Sequence, residues 1–94
     1  MLLGSTQILA LMALHEARID RKKVAPNDKI VHCLVRSDGT ALVIHGYDVS
    51  AQFFADWGQI NELKAQRYIE EDTQGYHLTE DGRKAGRDLS DPLL

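Results

Sequence analysis

Two hydrophobic periods follow one another in the C-terminal part of the chain. Ile60 and Leu63 are three positions apart, which places both on one face of a helix. Tyr76 and Leu78 are two positions apart and alternate with polar residues, which is the period of a half-buried strand. Residues 70–75 are polar and end in glycine, as hairpin loops do. The pattern predicts a helix, a strand, a tight turn and a second strand.

The hairpin is expected over Tyr68 to Thr79, and a further helix begins after it. Thr79 can accept a hydrogen bond from the first free N–H groups of that helix, and the two acidic residues that follow favour its positive end. Gly82 and Gly86 lie inside the predicted helix, where glycine lowers helix propensity. The sequence therefore predicts a C-terminal helix that is intrinsically weak.

This order of helix, strand, turn, strand, LTxxGR motif (residues 78–83) and helix resembles the C-terminal half of winged helix-turn-helix domains, especially MarR- and PadR-like regulators. The resemblance covers about Val49 to Leu89. It implies an α+β fold, a small winged helix-turn-helix domain with an N-terminal helix and a C-terminal β-hairpin wing. In that family the helix before Tyr68 and Ile69 is the recognition helix, so the resemblance implies a DNA-binding transcriptional regulator.

The middle of the chain supplies the other helix of this unit. Its aromatic residues are three and four positions apart, which predicts a helix that begins at Asp48 or Ser50 and ends at Trp57, with an aromatic face in the core. Gly58 is expected to form the turn to the next helix. Residues 50–66 would then be the helix-turn-helix unit.

An apolar N-terminal segment predicts a first helix, which Ser5 or Thr6 can cap and which runs to about Lys23. Its core face is formed by Ile8, Leu11, Met12, His15 and Ile19. Its opposite face is formed by Ala10, Ala13 and Ala17, flanked by Leu9 and Leu14. Because a twofold contact is the commonest way to bury a second apolar face, we expect a homodimer through the first helix. The alternative is that residues 30–45 cover the alanine face within one chain.

Residues near the end of this predicted helix are basic. They are Arg18, Arg21, Lys22 and Lys23. Cations suit the negative end of a helix dipole, so the cluster is interpreted as a solvated helix end in preference to a phosphate-binding site.

The segment from Ile30 to His45 admits two interpretations. Its β-branched residues and the Asp38-Gly39 pair predict a hairpin, and the rival is a helix over Asp28 to Arg36. The hairpin would pair Val35 with Leu42, Cys33 with Ile44, and His32 with His45. The hairpin is favoured, although the family pattern expects one short strand there.

Composition limits the class of protein. Ninety-four residues make a single domain over 1–94, and the net charge of −3 with a pI near 5.7 does not fit a strongly basic nucleic-acid coat. A local basic patch can still bind DNA. The lone Cys33 excludes an intramolecular disulfide. The N-terminal apolar run lacks a preceding positive charge and is too short for a membrane span, so we expect a cytoplasmic protein without membrane contact.

Catalytic and cofactor chemistry find little support in the sequence. The four histidines lack metal-ligand spacing, and the adjacent His32 and Cys33 point to opposite faces of a strand. A cross-strand pair of His32 and His45 is interpreted as structural. There is no glycine-rich phosphate loop. We expect no enzyme activity, no metal and no cofactor.

The remaining class of function is recognition of another macromolecule, and the two candidate partners are DNA and protein. The core-facing positions of the recognition helix are expected to be Ile60, Leu63 and Arg67. Asn61 and Gln66 can then read adenine edges, and Lys64 can reach a phosphate or a guanine. Arg83, Lys84 and Arg87 form the basic group nearby, for which the alternative interpretation is a solvated helix face. Arg83 and Lys84 complete the predicted DNA-binding set.

The alternative is a winged-helix module that binds protein and not DNA. Glu62 lies in the middle of the outward face of the recognition helix and repels phosphates. The predicted wing tip, residues 73–75, follows three acids and contains no lysine or arginine, whereas many DNA-contacting wings carry a cation there. The acidic wing and the negative net charge favour this alternative.

Overall fold

A computed structural model describes residues 4–24, 28–40, 42–44, 47–48 and 57–90, and these residues form an α+β fold. The helices in these ranges are α1 (Ser5–His15), α2 (Trp57–Ala65) and α3 (Glu80–Ser90). The strands are β1 (Ala17–Val24), β2 (Lys29–Arg36), β3 (Val43–Ile44), β4 (Tyr47–Asp48), β5 (Ile69–Glu71) and β6 (Gly75–Leu78). Four of them form an antiparallel sheet in the order β2-β1-β6-β5, and β3 pairs with β4 separately. No helix in the described ranges is long and apolar enough to cross a bilayer.

The first helix ends at His15, so its predicted extension to Lys23 is wrong. Glu16 adopts a left-handed conformation with φ 51° and its N–H donates to the carbonyl of Met12, which closes the last turn. Ala17 and Ile19 are buried two positions apart, and this is the period of a strand. The basic residues therefore lie along β1 and not on a helix end.

The segment after residue 28 is a strand, as predicted, and the rival helix is wrong. Its partner differs from the prediction, because β2 pairs along its whole length with β1. Cys33 lies opposite Asp20 and Val35 lies opposite Arg18. The chain does turn at Asp38-Gly39, where Gly39 has φ 88° and donates its N–H to the carbonyl of Arg36. The N–H of Arg36 donates to the carbonyl of Thr40, so the loop holds three residues and not the predicted two. The proposed partner of His32, His45, lies outside the described residues.

The C-terminal hairpin is confirmed as β5 and β6. Asp72 shapes its loop, because its Oδ1 accepts from the N–H groups of Gln74 at 2.8 Å and Gly75 at 2.9 Å. A Cβ on Gly75 would overlap the carbonyl of Ile19 on the neighbouring strand. Glycine is therefore what allows β6 to lie directly against β1 at the start of the strand.

Helix α3 packs closely on α1, and its glycines make this approach geometrically feasible. The predicted cap is confirmed, since the Thr79 hydroxyl accepts from the N–H of Gly82 at 3.0 Å. A Cβ on Gly86 would lie 2.6 Å from the Cβ of Ala13. A Cβ on Gly82 would overlap the carbonyl of Tyr68. The two glycines lower the helix propensity, but they lie at packing positions that the sequence pattern did not indicate.

The predicted alanine face, which the structure divides between α1 (Ala10 and Ala13) and β1 (Ala17), is covered within the chain. Ala10, Ala13 and Ala17 are all buried, and α3 is the helix in contact with Ala13 through Gly86. The premise of the predicted homodimer, an alanine face left uncovered, is therefore wrong. The predicted alternative cover, residues 30–45, is also wrong for Ala13, because the covering element is α3.

Most of the core lies on the face of the sheet that carries Ile19, whereas residues 31–35 of β2 are buried on both faces of the sheet. Leu34 and Tyr76 pair with Ile19 across the strands and share its face. The buried cluster joins these residues to α1 and α2. Its members are Ile8, Leu9, Met12, Ala17, Ile19, Val31, Cys33, Leu34, Leu42, Ile60, Leu63, Ile69 and Tyr76. Around β1 and β6 the opposite face of the sheet carries polar residues, which include Arg18, Asp20 and His77.

Candidate nucleic-acid interface

Helix α2 buries one side and exposes the other, as its sequence predicts. Ile60 and Leu63 are fully buried. Asn61, Lys64 and Gln66 are exposed. The expected turn at Gly58 is wrong, because Gly58 lies inside α2. The preceding helix predicted up to Trp57, and with it the first half of the helix-turn-helix unit, rests on residues 49–56, which lie outside the described part of the chain.

The end of α2 explains why Arg67 does not face the core, contrary to the prediction. Arg67 is exposed and left-handed, with φ 62°. Its N–H donates to the carbonyl of Lys64, and the N–H of Tyr68 donates to the carbonyl of Leu63, both at 3.0 Å. This pair of bonds is the Schellman arrangement that ends a helix. Arg67 takes the position that glycine usually occupies there, so the helical period stops before it.

Glu71 on β5 links the exposed face of α2 to strand β1. Its Oε1 lies 3.4 Å from the Lys64 ammonium, and its Oε2 accepts from Arg21 at 2.6 Å. The Arg21 guanidinium, followed by Lys64, holds the pKa of Glu71 below its ordinary value. Arg21 also donates to the carbonyl of Asp72 at 2.7 Å and lies 5.5 Å from the ring centroid of Tyr76. Arg21, which the sequence pattern places on a helix end, therefore joins β1 to the hairpin and, through Glu71, to the exposed face of α2.

The acidic side chains of the hairpin contact cations of the same domain. Asp72 accepts from Arg18 at 2.6 Å, and the Nδ1 of His77 donates to it at 2.8 Å. Chiefly because of Arg18, the pKa of Asp72 lies well below its ordinary value. Glu70 lies 3.6 Å from the Nε2 of His77. Cations from β1 therefore offset part of the negative charge of the hairpin. This charge is the feature of the predicted wing that argues against contact with DNA.

The two predicted DNA-binding residues on α3 have different surroundings. Arg83 donates to Glu16 at 2.7 Å, which directs it toward the end of α1. It lines an open cavity of about 280 Å³ together with Arg18, Ser37 and His77. Lys84 is exposed and makes no ion pair with a described residue. No contact among the described residues joins either side chain to Asn61, Lys64 or Gln66.

The remaining titratable residues do not form a metal centre in the described ranges, where no group of three or more histidine, cysteine or acidic side chains converges. His32 is buried beside Tyr76, with ring centroids 6.0 Å apart. Burial, followed by the charge of Arg21, lowers the pKa of His32. The neutral ring therefore packs in the core next to Tyr76.

Comparison with known proteins adds no further constraint. The chain matches no protein-family model, no curated protein and no solved structure.

Proposed function

We propose that this protein is a small DNA-binding domain of the winged-helix type, a transcriptional regulator without catalytic activity, in which α2 is the recognition helix and the β5–β6 hairpin is the wing. The observation that carries this proposal is the outer face of α2. Asn61 and Lys64 on this face and Gln66 directly after the helix are exposed to solvent, while Ile60 and Leu63 fix the helix to the core. The order of α2, hairpin and capped α3 is the one that the family resemblance implies.

The chemistry of this face suits a major groove. Asparagine and glutamine can bond adenine through two hydrogen bonds, and lysine can bond guanine or a phosphate. Glu71 holds the Lys64 ammonium at 3.4 Å, a distance and exposure at which the ion pair is weak. A phosphate can therefore replace Glu71 as the partner of Lys64 at low cost.

The overall charge of −3 limits the affinity for DNA that we expect. Because the interface has few cations, DNA binding is weak, and each phosphate contact that it does make is sensitive to salt. Of the two basic residues on α3, Lys84 is the better placed to add a phosphate contact, because Arg83 is already bonded to Glu16.

Fluorescence anisotropy with labelled mixed-sequence duplexes at low salt tests this proposal. The Lys64→Ala variant should lower the slope of log affinity against log salt by about one. The Asn61→Ala and Gln66→Ala variants should leave that slope unchanged and reduce discrimination between duplex sequences. Arg87→Ala is the matched control, because Arg87 is an exposed cation on α3 outside the proposed interface.

Two results would contradict the DNA proposal. One is the absence of binding to any duplex at low salt. The other is binding that the combined Lys64→Ala, Arg83→Ala and Lys84→Ala variant leaves unchanged. Either result would favour the alternative function, a winged-helix module whose partner is a protein.

A further inference from the structure

Strands β1 and β2 extend beyond the rest of the sheet as a two-stranded arm, defined here as residues 22–24 and 29–31. The last backbone bond from β1 to the β5–β6 hairpin runs from the N–H of Arg21 to the carbonyl of Gln74, at 2.8 Å. Beyond that point β1 continues to Val24 and pairs with β2. At about 3.4 Å per residue, the three arm residues of β1 span about 10 Å beyond that bond.

The arm carries exposed positive charge on both of its faces. Lys22 and Lys23 are exposed, and as neighbours in a strand they point to opposite faces. Neither makes an ion pair with a residue that the structure describes. Lys29 lies at the register position opposite Val24. The residue before it, Asp28, is acidic.

The arm begins at the residue that connects it to α2. Arg21 shares the carboxylate of Glu71 with Lys64, so the exposed face of α2 and the base of the arm meet at one side chain. Lys23 lies two positions after Arg21 and therefore on the same face of β1. A charged surface thus runs from Lys64 through Arg21 to Lys23.

We infer that this arm holds the phosphate backbone of the DNA duplex that α2 binds, an inference that rests on the proposed function. Val31, the register partner of Lys22, is buried in the core, so the arm does not insert into a groove as a free ribbon. The exposed Lys22 and Lys23 side chains can each reach a phosphate of a duplex that lies against α2. Ile30 is 48% exposed and pairs with Lys23, so it offers an apolar surface to the sugars between those phosphates. A length of about 10 Å corresponds to about three base pairs, at about 3.4 Å each along one strand.

The test is a salt series by fluorescence anisotropy with a mixed-sequence duplex. Lys22→Gln and Lys23→Gln are measured singly and together, because glutamine removes the charge and keeps most of the stem. Each single variant should lower the slope of log affinity against log salt by about 0.9, and the double variant by about 1.8. Arg87→Gln, which removes one exposed cation from α3, should leave the slope unchanged. Thermal unfolding checks that all variants remain folded.

A duplex-length series supplies a second readout. As the duplex is shortened, each protein should lose affinity once the duplex no longer spans its contacts. Because the arm adds contacts over about three base pairs, this loss should begin in the wild type at a duplex about three base pairs longer than in the double variant. If the double variant keeps the wild-type slope while Lys64→Gln lowers it, the arm inference is overturned and the DNA proposal stands. If the wild type binds no duplex, both are overturned. If it binds phosphatidylserine vesicles through Lys22 and Lys23 but binds no duplex, the partner of the arm is a membrane surface and the inference is overturned.

Discussion

Replacing Gly86 with alanine tests the closest contact between helices α1 and α3. Helix propensity alone predicts a stabilisation of about 1 kcal/mol, because alanine replaces glycine inside a helix. The structure predicts the opposite. The new Cβ would lie 2.6 Å from both the Cβ of Ala13 and the carbonyl oxygen of Leu9. Ordinary contacts of this kind are about 3.5–4.0 Å, so the helices must separate by about 1 Å.

The expected cost follows from these two opposing effects. Overpacking of a well-packed core costs about 1–3 kcal/mol, and the gain in propensity offsets part of it. We expect Gly86→Ala to lower the free energy of unfolding by about 1–2 kcal/mol, which corresponds to a fall in Tm of roughly 5–10 °C in a domain of this size. Urea unfolding followed by circular dichroism measures it. Lys84→Ala, at an exposed site of the same helix, should change the free energy by less than about 0.5 kcal/mol.

A double variant identifies the contact responsible. Ala13→Gly removes one of the two atoms that lie 2.6 Å from the new Cβ, and the carbonyl of Leu9 remains. The pair Ala13→Gly and Gly86→Ala should therefore be more stable than the sum of the single effects predicts, by about 0.5–1 kcal/mol. A Gly86→Ala variant as stable as the wild type, or additive effects in the pair, would refute the close packing of α1 on α3.

Three further changes test the elements that position α2 and the hairpin. Thr79→Ala should cost about 1 kcal/mol in a urea titration, because Thr79 caps α3 and also donates to the carbonyl of Arg67, whereas Thr79→Ser should cost little. Arg67→Gly should raise the unfolding free energy by up to about 1 kcal/mol, since glycine relieves the left-handed conformation; a loss of stability would argue against this helix end. Asp72→Asn should cost about 1–2 kcal/mol at pH 7, a value reduced by solvent screening. Because the folded-state pKa of Asp72 is lowered, this stabilisation is present above the unfolded-state pKa near 4 and is lost as the pH falls below it. The difference between wild type and Asp72→Asn in thermal unfolding should therefore shrink between pH 6 and pH 2.5, and a constant difference would contradict the ion pair with Arg18.

Local patterns predicted the part of the fold that depends on local interactions. The face of α2 follows from the spacing of Ile60 and Leu63, and the hairpin follows from the alternation around Tyr76 with a polar loop before it. Thr79 caps the next helix by contacts within its own turn. Each of these features is determined by residues a few positions apart, so one sequence is enough to indicate them.

The features that depend on distant residues were missed. The sequence pattern predicts a helix where β1 lies, because the charged residues of β1 hide the alternation of Ala17 and Ile19. Only pairing with β2 and β6 makes this segment a strand. The sequence pattern indicates only that Gly86 lowers helix propensity. Its packing partner on α1, Ala13, is far away in sequence and cannot be inferred from local spacing. The ion pair between Arg21 and Glu71 could not be found for the same reason, and with it the link from α2 to the arm.

The most direct test of the proposed interface is a titration of isotope-labelled protein with a mixed-sequence duplex at low salt, followed by amide NMR shifts. We expect the largest shifts at residues 61–65 of α2, at Gln66 and at residues 21–23 of β1, with small shifts at residues 86–90 of α3. Absence of shifts at stoichiometric duplex, or the largest shifts on α3, would contradict the proposed interface.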